Sequence, residues 1–272
     1  MTTMRRTICV WMACMFALAA SATRAQAQYG TRPLSNPATG EDYHVEVAFG
    51  LWTPDREIVV SSESLGIVGT RIDAVADLGF ENEVFKDLRV ILRPSKKFKL
   101  RFGYTPIQYD AETTLTRTIV FNGQLYHVGL PVTSRLEWKD WRFGLEYDFV
   151  YASRGYLGFI TEAKYTDVEV DLTSPLTTEF TNAKAPIPTI GVGGRVYLLK
   201  NLALTGELTG LKLNVSDNEG TYINFDLFGT FNFTNNFGVQ GGYRTLKVDY
   251  VVDLDSGNLR LKGFTFGGVV RF

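Results

Sequence analysis

The feature that most constrains this chain is an alternation of apolar and polar side chains with period two, repeated in segments of about ten residues. At the C-terminal end Phe264, Phe266, Gly268, Val270 and Phe272 share one parity, and Thr265, Gly267, Val269 and Arg271 share the other. Further back, Ile223, Phe225, Leu227, Gly229, Phe231 and Phe233 alternate with Asn224, Asp226, Phe228, Thr230 and Asn232. Alternation of this kind describes a strand with one apolar and one polar face. A membrane-crossing strand needs about 9–11 such residues, apolar ones toward lipid and polar ones toward an enclosed interior. An open sheet in lipid would leave unpaired backbone groups costing several kcal/mol each, so a spanning sheet has to close.

The first residues differ in kind. Arg5 and Arg6 precede an apolar run from Ile8 to Ala20, and small residues end in Ala25-Gln26-Ala27. This reads as a Sec-type secretory signal over residues 1–27, too short for a membrane anchor. Both cysteines, Cys9 and Cys14, fall inside it, so the mature chain has no disulfide, thiol nucleophile or cysteine metal ligand. Removing it takes three arginines and no acids from 28 basic and 29 acidic residues, leaving 25 against 29. Such a faintly acidic, mixed-sign chain has no electrostatic footprint for nucleic acid.

Strands are expected near 43–54, 84–94, 98–109, 113–121, 125–138, 141–151, 156–171, 187–198, 202–213, 221–233, 237–252 and 260–272. The fold expected is therefore all-β, a closed antiparallel transmembrane β-barrel of twelve strands over residues 43–272. One hairpin lost or gained gives ten or fourteen; an even count keeps both termini on the periplasmic side. Residues 28–42 read as a short, disordered periplasmic tail. Longer extracellular loops are expected near 55–83 and 172–186, the first with a possible strand at 58–61 and a brief helix at 72–78. Lys139-Asp140 reads as a two-residue hairpin loop, which sets Trp138 opposite Trp141 and Leu136 opposite Phe143. The other face then pairs Glu137 with Arg142 and puts Arg135 diagonal to Glu146.

The alternating final segment closing on Phe272 resembles Gram-negative outer-membrane barrels as a class. The resemblance implies residence in the outer membrane, contact with its lipid, and recognition of Phe272 by the barrel-assembly machinery. Trp138, Trp141, Tyr147 and Tyr151, with Tyr165, suit the aromatic girdles at the two interfaces. Some barrels of this size are enzymes: outer-membrane phospholipases use Ser, His and Asn, and others use His with carboxylates. Here the only histidines are His44 and His127, and neither has a serine two residues away. The glycine clusters at 191–194 and 238–242 lie inside strands, so they form no phosphate loop. No metal or cofactor motif is present, and the chain reads as a non-enzyme.

The polar parity carries charge. Arg89, Arg101, Arg135, Glu137, Arg142, Glu146, Asp148, Arg195, Glu207, Asp226 and Arg244 are the candidate lumen and constriction residues, with Lys99, Glu162 and Lys164 beside them. They either line a small porin-like channel for hydrophilic solutes or pair with one another and plug a structural or surface-binding barrel. A lipid-modifying enzyme ranks below both.

Overall fold

The computed structural model describes residues 36–61, 69–175, 178–215, 218–252 and 255–272. The signal segment 1–27 and residues 28–35 of the expected tail lie outside the described residues. In chain order the strands are β1 (Val45–Ser61), β2 (Ile72–Asp73), β3 (Phe85–Ser95), β4 (Phe98–Thr114), β5 (Ile119–Phe121), β6 (Gln124–Tyr126) and β7 (Pro131–Ala152). These are followed by β8 (Gly155–Thr173), β9 (Thr178–Leu199), β10 (Leu202–Val215), β11 (Asn218–Asn232), β12 (Phe237–Val252) and β13 (Asp255–Arg271). Each long strand pairs antiparallel with the next, and β13 returns to pair with β1 from Glu46↔Arg271 to Ser61↔Ser256. The result is a closed barrel of ten strands; β2 lies against the end of β1, and β5 and β6 form a separate hairpin.

The expected twelve strands become ten for two reasons. Lys139-Asp140 is not a turn, so the strands expected at 125–138 and 141–151 are one. The strand expected at 113–121 is no barrel strand, its start extending β4 and its end forming β5 of the separate hairpin. β7 runs through Lys139-Asp140 for 22 residues. Lys-Asp lacks the glycine that a tight two-residue hairpin favours, whereas Asn122 and Gly123, at φ 49° and 78°, do turn β5 into β6. Within β7 even-numbered residues point inward from Val132 to Asp148, so the faces assigned before position 139 are exchanged. Arg135 and Glu137 lie on the outer face, with the Arg135 side chain 54% exposed. Trp138 points inward and is 3% exposed. Its partners are Ile107 on β4 and Val168 on β8, not Trp141.

What changes along β7 is the medium outside it. Phe143, Tyr147 and Phe149 are exposed on the outer face of its C-terminal half, while Arg135 and Lys139 occupy the same face of its N-terminal half. The other strands agree: Phe264 and Phe266, 72% and 68% exposed, give way to outward Lys262 and Arg260. An apolar belt about nine residues deep therefore sits at the end carrying the termini, the length a tilted strand needs to cross a bilayer. Strands of 14 to 22 residues overshoot that belt at the other end. Connections at the termini end are short, at 96–97, 153–154, 200–201 and 233–236, and the long ones are all opposite. Short turns mark the periplasmic side and long loops the extracellular side.

Three further expectations change. The 172–186 loop is mostly strand: β8 ends at Thr173 and β9 starts at Thr178. Of the 55–83 loop, residues to Ser61 extend β1, as the possible strand at 58–61 anticipated, and 72–78 form β2 and a turn in place of a helix. The Val75 and Ala76 N–H groups donate to Asp73 Oδ1 as they would to a helix N-cap, but only one turn follows before Gly79, at φ 74°, ends it. Residues 36–42 are no loose tail, since Glu41 is wholly buried. The continuity of β7 is tested by paired cysteines. Trp138→Cys with Val168→Cys, directly opposite across β7 and β8, should form a disulfide on mild oxidation, and Trp138→Cys with Trp141→Cys should not; the reverse pattern would restore the hairpin.

Candidate functional site: a filled lumen under an extracellular cap

Inside the belt the lumen is occupied by charged side chains. One network runs from Arg271 through Glu46, Arg195, Glu41, Arg93, Asp148, Lys99 and Glu146 to Arg101, which also meets Glu207 and Glu162, and Glu162 holds Lys164. It contains six cations and six carboxylates. The second joins Arg89, Arg142 and Arg244 to Asp87, Asp140 and Asp226, three against three. Each network is electroneutral, as burial of so many charges requires.

Several pairs bridge opposite walls. Arg195 on β9 lies 3.3 Å from Glu46 on β1, five strands away around the barrel. Arg101 on β4 reaches Glu207 on β10, and Arg244 on β12 stands 3.9 Å from Asp140 on β7. Glycine makes the room: a Cβ on inward-facing Gly144 would stand 2.6 Å from Glu162 Cγ and 3.0 Å from the Thr161 carbonyl oxygen. Between the networks, a cavity of about 20 Å³ lined by Arg89, Arg101, Arg142 and Glu162 remains, room for a single water.

Beyond the belt the inward face becomes apolar. Trp52, Ile58, Ile107, Tyr109, Leu136, Trp138, Tyr222, Leu246 and Leu261 project inward from the overshooting strands. Two loops fold over them. Residues 69–84 contribute Ile72, Leu78 and Phe80, with Phe80 stacked on Tyr109 at 5.6 Å. The hairpin between β4 and β7 contributes Ile119, Phe121 and Tyr126, the Tyr126 hydroxyl donating to Leu172 O at 3.1 Å. The loops also hold one another: Thr70 N–H donates to Val120 O at 2.9 Å, and Arg117 Nε donates to Asp77 Oδ1 at 2.8 Å.

The first loop also fills a seam in the wall. β3 is the shortest barrel strand, and pairing of β1 to β3 ends at Trp52↔Phe85 and of β3 to β4 at Leu88↔Tyr104. Above those points β2 pairs with Val59 and Val60, and Arg56 Nε donates to Phe80 O at 3.1 Å. Pro54 and Pro106, which have no N–H to offer, stand just above the end of the β3 ladder on either side.

Of the expected lumen residues, Arg89, Arg101, Arg142, Glu146, Asp148, Arg195, Glu207, Asp226 and Arg244 all stand in the two networks. Arg135 and Glu137 do not: they pair outside, with Asp110 and Lys139. Trp141 and Tyr147 face outward, and Trp141 heads a row with Tyr104 and Tyr165 across three strands, its ring 4.0 Å from that of Tyr104. Trp138 and Tyr151 leave the girdle, the first for the apolar interior. A register shift between Asp148 and Val150 brings Tyr151 under the Arg93 guanidinium at 4.7 Å. Phe272 is exposed on the outer face. Sequence reasoning missed Glu46, Asp87, Arg93 and Arg271, which parity could have supplied, and Glu41, which precedes any strand. Asp140 was hidden by the turn assignment.

His44 lies at the periplasmic end and His127 on the cap, at opposite ends of the barrel. Among the described residues no group of three or more His, Cys, Asp or Glu is placed to hold a metal. An open groove of about 580 Å³ crosses the extracellular rim, lined by Glu112, Thr114, Thr133 and Thr173.

No known family's sequence profile matches the chain, and no curated protein matches it. Among solved structures it is similar to the outer membrane protease OmpT of Escherichia coli, with a TM-score of 0.55 and 10% identity over 89% of this chain and 99% of that one. Looser likenesses are the Pseudomonas putida toluene transporter TodX (0.37, 10% identity, 88% and 92% covered) and Neisserial surface protein A (0.35, 16%, 84% and 97%). At 10% identity, the first of these likenesses is one of fold alone. The class is nonetheless plain: the chain resembles Gram-negative outer-membrane β-barrels, as a closed antiparallel barrel with a lipid-facing belt.

Two outcomes follow from this geometry. Glu46→Ala strands Arg271 in the interior and leaves Arg195 only Glu41 at 3.9 Å, and loss of one partner from a buried pair costs about 3–5 kcal/mol; denaturant unfolding in lipid vesicles should show it. In the cap, the hydrogen bonds from Arg117 lower the pKa of Asp77 below the usual carboxylate value. A depressed folded pKa stabilises above the unfolded value, and that support is lost as pH falls through the folded one. Protection of the 72–78 amides from hydrogen exchange should therefore fall in acid, and Asp77→Asn should lower it already at neutral pH.

Proposed function

We propose that this protein is a non-conducting outer-membrane barrel that holds a rigid, folded cap at the cell surface for contact with an external partner. The observation that carries the reading is the filled interior. Two neutral ion-pair networks span the lumen within the belt, and an apolar cluster roofed by two loops fills the extracellular end. A porin-like channel needs a continuous water-filled path, whereas the space between the two networks, about 20 Å³, holds roughly one water. Outer-membrane residence is supported by the exposed phenylalanines of the belt, which water would not tolerate as a continuous band. The cap, in contrast, has the attributes of a presented surface. Its loops are tied to each other and to the wall, and Leu125 and Val128 are exposed on the outer side of the hairpin.

The test is electrical. Purified protein reconstituted in planar bilayers should give no single-channel steps at low voltage, whereas regular open steps would restore the channel reading. A triple Glu46→Ala, Arg195→Ala, Arg271→Ala variant, which removes one bridge across the lumen, should be the first to leak.

A further inference from the structure

The segment 36–44 crosses the periplasmic mouth and engages every hairpin turn there. Ala38 N–H donates to Ser153 O at 3.2 Å, Thr39 N–H to Lys200 O at 2.8 Å and Gly40 N–H to Asn235 Oδ1 at 3.2 Å. The remaining turn is reached through Arg93, whose guanidinium donates to Lys96 O at 3.2 Å and to the Glu41 backbone oxygen at 2.8 Å. The conformation is specific: Gly40 has φ +80°, and a Cβ there would stand 2.7 Å from Arg271 Nη1. Glu41 enters the barrel and is the carboxylate shared by Arg93 at 3.2 Å and Arg195 at 3.9 Å. The segment then runs into the closing seam, where the His44 and Val45 N–H groups both donate to Phe272 O.

These partners come from positions 93 to 272 and stand together only after β13 has docked on β1. The segment has almost no partner near it in sequence, so its contacts are formed only when the closure cost of nearly the whole chain has been met. We propose that docking of residues 36–44 is the final step of folding, a latch that locks the seam once the barrel is complete. Interactions absent from the transition state set the unfolding rate and leave the folding rate unchanged.

The experiment follows folding and unfolding of the full-length protein in lipid vesicles by denaturant jump. Glu41→Gln and Gly40→Ala should each speed unfolding about tenfold or more, with folding rates within about twofold of the parent. Asn235→Ala removes a single bond to the segment and should act in the same direction more weakly, which keeps the test decisive if the stronger variants fail to assemble. Slower folding with unchanged unfolding would overturn the proposal by placing the segment in the nucleus. Unchanged unfolding in the variants that assemble would also overturn it, by making the segment a passive plug.

Discussion

A sheet that closes in lipid encloses a space which must be filled by something, and the pairing of charges across that space is what the rest of this structure depends on. Ten strands make a barrel narrow enough for an arginine on one wall to meet a carboxylate on the opposite one, as Arg195 and Glu46 do. Once the charges reach across, they must balance, because an unmatched ion in that setting costs several kcal/mol. The two networks meet this condition separately, six against six and three against three. Small residues on the inward face, such as Gly144 beside Glu162, supply the volume that the long side chains occupy.

The two ends solve the same problem with different chemistry. Toward the periplasm, the chain folds its own segment 36–44 across the opening and contributes Glu41 to the ionic interior. Toward the outside, the strands rise beyond the apolar belt, and their environment inverts. Water now bathes the outer face, so Arg135, Glu137 and Lys139 appear there, while Trp138 and Leu136 turn to a sheltered interior. The loops 69–84 and 115–130 supply the roof that makes this interior dry.

This inversion explains how far the sequence could be read. Strand parity within the belt was legible except beyond the register shift that turns Tyr151: Phe225, Phe231, Phe264 and Phe266 stand outside as the alternation implied, and Arg101, Glu146 and Arg244 stand inside. Above the belt the same alternation continues with apolar and charged faces exchanged. In β7 that exchange falls between Trp138 and Trp141, and a two-residue loop would produce an identical pattern by shifting parity. Reading the switch as a turn added a hairpin, moved Arg135 and Glu137 into the lumen and removed Asp140 from it. The remaining misses, Glu41 and the loop residues that roof the barrel, owe their burial to contacts far away in sequence. No local periodicity reports such contacts.

The central claim is that charges on opposite walls meet inside the barrel, and a double-mutant cycle on Arg101 and Glu207 tests it most directly. Unfolding free energies of Arg101→Ala, Glu207→Ala and the pair should be non-additive by about 1–3 kcal/mol, as for residues in one buried network. Additivity within about 0.5 kcal/mol, the behaviour of sites that do not touch, would mean that water separates the two walls and that the lumen is open.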